Sequence, residues 1–99
     1  MKLFEDVYRN TLEVIEDTLP LQENWLHSNT YEATIARVLL IRMLELQGLS
    51  RRFIEHYTGL SKSVIKKHIN GYNDRLKGDR TMRMIAGAVG SKLGLNNYN

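Results

Sequence analysis

The chain has 99 residues, 42% of them apolar and 25% charged, which fits one globular domain and argues against both two independent cores and wholesale disorder. It holds no cysteine, which excludes a disulfide framework and a cysteine-based zinc site. The net charge of +3 is uneven: four Lys/Arg against eight Asp/Glu give −4 over residues 1–50, and ten against three give +7 over residues 51–99. This is the pattern of a polyanion-binding region joined to a part that avoids polyanions, or of a basic surface that is merely solvated.

Residues 2–19 form the cleanest amphipathic segment. Phe4, Val7, Tyr8, Leu12, Ile15 and Leu19 recur at three- and four-residue steps, with Leu3 and Val14 at the margin. Glu5, Asp6, Glu13, Glu16 and Asp17 lie opposite. Pro20 ends this helix because its ring and missing N–H cannot continue the ladder. The acidic Glu5 and Asp6 stand where a signal peptide would be apolar, and no stretch nears the ~20 apolar residues of a membrane span, so a cytoplasmic location is expected. A polar connection holding Trp25 follows. Asn29 or Thr30 then caps a helix in which nine of the twelve residues 35–46 are apolar. Arg37, Arg42 and Glu45 fall in one arc, so this helix should be buried on several sides, with Gly48 ending it.

Ser50 caps a short helix over about 51–58, Gly59 supplies a turn, and Ser61 caps a helix to about Asn70 that Gly71 stops. Residues 72–78 look turn-like. Asp79 caps a last helix over about 80–93, with Met82, Ile85, Val89 and Leu93 on one face and Gly94 as its stop. Two glycines within it, Gly87 and Gly90, cost roughly 1 kcal/mol each relative to alanine. They imply close approach of another helix, within the fold or across a dimer, or else a marginal helix.

Residues 49–70 resemble the helix-turn-helix of bacterial and phage transcription regulators. Ile54 stands where the first helix buries an aliphatic side chain, Gly59 is the turn glycine, Leu60 the apolar residue after it, and Ile65 the anchor of the second helix. Glu55 departs from the pattern, which usually has a small residue there. The Thr-Gly-Leu-Ser turn, residues 58–61, is also similar to that of the flagellar master regulator's C subunit. That protein's cysteine-rich metal region and the replication initiator's Asp-His-Thr-Thr segment have no counterpart, so the resemblance stops at the superfamily.

Together these elements predict an all-α fold of about five helices, a single domain over 1–99 whose core spans 30–93, and the resemblance sets the motif at 50–70. It makes the helix from Ser61 a recognition helix, with Ser61, Lys62, Ser63, Lys66, Lys67 and Asn70 outward and Val64 or Ile65, and Ile69, inward. Lys62 suits guanine O6 and N7, Ser63 several bases, and Arg51 and Arg52 phosphate. Arg75, Lys77, Arg80 and Arg83 would extend the track.

The implied function is sequence-specific regulation of transcription on duplex DNA, without a cofactor, metal or catalytic site. His27, His56 and His68 have no ligand spacing, and the acidic pairs sit on a solvated face. A homodimer on an inverted repeat is expected, pairing through Phe4, Tyr8, Leu12, Ile15 and Leu19, because one recognition helix covers too few base pairs. Two alternatives stay open: a protein–protein adaptor using the acidic first helix, and a non-specific DNA-binding or replication accessory protein.

Overall fold

The first described helix carries Glu5 and Asp6 in its first turn, where they complement the positive end of the helix dipole. The computed structural model describes residues 3–95. In order it contains α1 (Phe4–Thr18), a single 3₁₀ turn (Trp25–His27), α2 (Tyr31–Leu46), α3 (Arg51–Thr58), α4 (Lys62–Gly78) and α5 (Arg80–Lys92). No strand occurs among the described residues.

Helix α2 is the hub, with the other four helices and the 3₁₀ turn all packed on it. Val38, Leu39, Leu40, Ile41, Met43 and Leu44 are essentially inaccessible, each worth about 1.5–3 kcal/mol of burial for an aliphatic side chain. Its polar arc is put to structural use. Arg37 donates to the carbonyls of Trp25, Leu26 and Ser28, which ties the 3₁₀ turn to α2. Arg42 pairs with Glu45 at 2.6 Å and lies over the Tyr72 ring of α4. Thr30, one of the two expected caps, accepts from the Ala33 N–H. Gly48 follows α2 at φ 99°, a conformation that excludes most side chains.

Two expectations need correction. The first concerns the α1 stripe expected to pair two copies. Ile15 is fully buried, Leu19 and Val7 nearly so, and Tyr8 and Leu12 pack partly buried against the same core. Among the proposed pairing residues only Phe4 is exposed. The cause is α2, whose apolar circumference is too wide for α3, α4 and α5 to cover alone, so α1 completes its coat. A polar contact at the edge of this packing helps fix the register: buried Thr11 donates to the Val7 carbonyl at 2.7 Å and accepts from half-buried Gln47 of the α2 C-terminus at 2.9 Å.

The second correction is the end of α4, which runs through Gly71 to Gly78. Tyr72 and Leu76 are buried on the face that carries Ile65 and His68. Their burial outweighs the roughly 1 kcal/mol helix cost of Gly71. The α1–α2 connection, polar as expected, is anchored by Trp25, which is buried and donates its indole N–H to Glu16 at 3.1 Å. The last helix matches its expected bounds within a residue, and its Ala86 and Gly90 are buried inside the fold.

Candidate nucleic-acid interface

The α3–α4 pair is built by local hydrogen bonds. Ser50 accepts from the Phe53 N–H and Ser61 from the Val64 N–H, so each helix starts on a serine cap. Between them Gly59 sits at φ 73°, and its N–H donates to the Glu55 carbonyl at 2.9 Å. Thr58, the first residue of the Thr-Gly-Leu-Ser turn, is buried; its hydroxyl donates to the Ile54 carbonyl at 2.7 Å and accepts from the Leu60 N–H at 3.1 Å. Ile54, Leu60 and Ile65 are all buried in the common core. Helix α3 packs directly on α4.

On the outer side α3 and α4 enclose an open cleft of about 800 Å³. Arg51, Arg52, Lys62 and Lys66 line it with Glu55, His56 and the edge of Ile65. Four permanent cations thus face one carboxylate. Glu55 is half-buried on the cleft wall, so its bulk is accommodated where a small residue was the motif's norm. The first turns of α3 and α4 hold no acidic residue, unlike those of α1 and α2. Their free amide ends therefore add positive potential to that of the side chains, a combination that favours an anion.

The other expected contact residues are distributed along α4. Ser61, Ser63, Lys67 and Asn70 are exposed but do not line the cleft. Arg75 and Lys77 are exposed too, about 20 Å along the axis from Lys62 at 1.5 Å per residue. Arg75 turns toward α2, where its charge, after burial, holds the Arg37 guanidinium below its ordinary pKa. Arg83 leaves the expected basic track. Its guanidinium donates to the carbonyls of Leu76 at 2.6 Å and Lys77 at 3.0 Å, capping the end of α4. Of the inward positions, Ile65 is buried while Val64 and Ile69 are half-buried. His68 is the unexpected buried one.

No protein-family model matches this chain, and neither does any curated protein or solved structure. Among the described residues no group of three His, Asp or Glu side chains is placed to hold a metal ion. No helix among them is long and apolar enough to cross a membrane.

Proposed function

We propose that the protein binds duplex DNA through α3 and α4 as a helix-turn-helix, and acts as a sequence-specific transcriptional regulator. The observation that carries this reading is the cleft, where four cations and two acid-free helix starts converge on the outer side of a tight two-helix unit. A lone lysine-rich surface helix would have neither the second wall nor the rigid turn. Lys62 and Ser63, on the first turn of α4, are the side chains for base edges, and Arg51 and Arg52 for phosphate. The adaptor alternative would use the acidic face of α1, whose Glu5, Asp6, Glu13, Glu16 and Asp17 are exposed, but that face has no counterpart to the two-walled cleft that supports the DNA reading.

Binding to arbitrary duplex, measured across salt concentrations, tests the electrostatic half of the proposal. Each neutralised phosphate should contribute about −0.9 to the slope of log K against log salt. Contacts from the four cleft cations alone predict a slope of about −3.6. A flat salt response overturns the reading. Selection from a random duplex pool tests the specificity half, and recovery of no consensus would leave a non-specific DNA-binding protein.

A further inference from the structure

Glu55 is the carboxylate on the wall of the α3–α4 cleft, where the charged residues beside it are Arg51, Arg52, Lys62 and Lys66. Arg51 and Arg52 precede it on α3 at the two spacings, four residues and three, at which Glu5 pairs with Arg9 and Arg42 with Glu45. Here neither pair forms. Among the described residues Glu55 makes no ion pair, and its carboxylate accepts no hydrogen bond. The turn uses only its backbone carbonyl, which accepts from the Gly59 N–H and which any residue would supply. The fold therefore leaves this side chain unused, half-buried and facing the cleft.

A ligand in the cleft meets two demands at once. The cations call for phosphate, while the carboxylate calls for a hydrogen-bond donor. The sugar–phosphate backbone of DNA carries acceptors only, so a phosphate laid on Glu55 would be repelled and would leave the carboxylate unpaired as water is excluded. The donors of a duplex are the amino groups on its base edges, and in the major groove these are cytosine N4 and adenine N6. Adenine sets its N7 acceptor beside N6, which repels a carboxylate; cytosine presents N4 with no acceptor of its own alongside. We propose that Glu55 is a base-reading residue that selects cytosine through the N4 amino group. Lys62 lines the same cleft from α4 and suits guanine O6 and N7, so the two walls offer the acceptor and the donor that a G·C edge requires. The proposal rests on the DNA-binding reading and deepens it: α3 contributes a base contact as well as phosphate contacts.

Selection from a random duplex pool by wild type, Glu55→Ala and Glu55→Gln tests it, followed by competition between duplexes that differ at one base pair. Wild type is expected to select a site holding a cytosine that Glu55→Ala no longer requires, with discrimination there falling roughly 10-fold and the other positions unchanged. Glu55→Gln, close to isosteric and a good helix former, should lose discrimination against adenine at that same position. Its carboxamide donates to N7 while it accepts from N6. The glutamine variant decides the matter even if the alanine variant fails to fold. A consensus identical in all three proteins, with affinity for every duplex raised alike by the substitutions, means that Glu55 only opposes phosphate. That outcome sinks this proposal and leaves the DNA reading standing, as does the loss of a position that is not cytosine. A wild type that binds duplex without any consensus overturns Glu55 as a reader and leaves a non-specific binder. A wild type that binds no duplex overturns both.

Discussion

Lys62 and Ser63 stand on the first turn of α4, while Arg51 lies across the cleft and Lys77 near the far end of the helix. That separation predicts two mutant phenotypes. Lys62→Ala or Ser63→Ala should relax preference at particular base pairs, with about 1–3 kcal/mol of lost discrimination for a direct contact. Arg51→Ala or Lys77→Ala should weaken all duplexes about equally, since phosphate carries no sequence. Competition between selected and scrambled duplexes separates the two, and an inverted pattern would mean that another face of α4 meets the bases.

His68 predicts a pH effect of a different kind. Burial first, and then the charges of Arg37, Arg75 and Lys67, hold its imidazole below the ordinary histidine pKa, and its Nδ1 is buried without a hydrogen-bond partner. The folded state therefore favours neutral His68. Its contribution is fully present above the unfolded pKa of about 6.5 and is lost as the pH falls below that toward the depressed folded value. Urea unfolding at pH 7.5 and pH 5 should show wild type losing more stability on acidification than His68→Leu. Equal losses would remove His68 from the account.

At the scale of elements, α4 gives the sharpest comparison of sequence with structure. Its start was legible because a serine cap after a glycine turn is a local signal. Its end was not, because Gly71 is also a local signal and points the other way. What carries the helix onward is non-local: Tyr72 under Arg42 of α2, and Leu76 buried beyond it. Gly71 has helical backbone, and a Cβ added there meets no atom within 4 Å. Gly71→Ala should therefore stabilise the protein by roughly 0.5–1 kcal/mol. Gly59→Ala, at φ 73°, should destabilise it although space is equally open. Thermal unfolding of the two variants decides this, and a destabilised Gly71→Ala would mean that the chain turns at 71 after all.

The same contrast holds for α1, whose amphipathic period was plain. Which surface its stripe would meet depended on how much of α2 the other helices leave bare, and that is a property of the assembled bundle. In the candidate site the cations of the cleft were visible as a charge pattern. The capping role of Arg83 was not, because it depends on α5 turning back beside the end of α4.

Across the whole molecule, stability is concentrated in α2. Leu40→Ala, at a fully buried site, should cost about 2–5 kcal/mol. Against the 5–15 kcal/mol that holds a domain of this size together, that is enough to bring it near unfolding. Denaturant titration would show the change at the midpoint with little change in slope, and a cost under about 1 kcal/mol would mean that α2 is not the hub.

The wrapping of α2 also makes it a reporter. Its central amides are enclosed on every side by α1, α3, α4 and α5, so solvent deuterium should reach them only when the entire chain opens. A ligand seated on α3 and α4 never touches α2, yet it lowers the population of the open chain by the factor 1 + [L]/Kd. Deuterium uptake in α2 should therefore slow by that factor when duplex is added, while amides that exchange without global opening, such as those of the exposed first turn of α1, should exchange as before. The most secluded helix in the protein would measure occupancy of its most exposed surface.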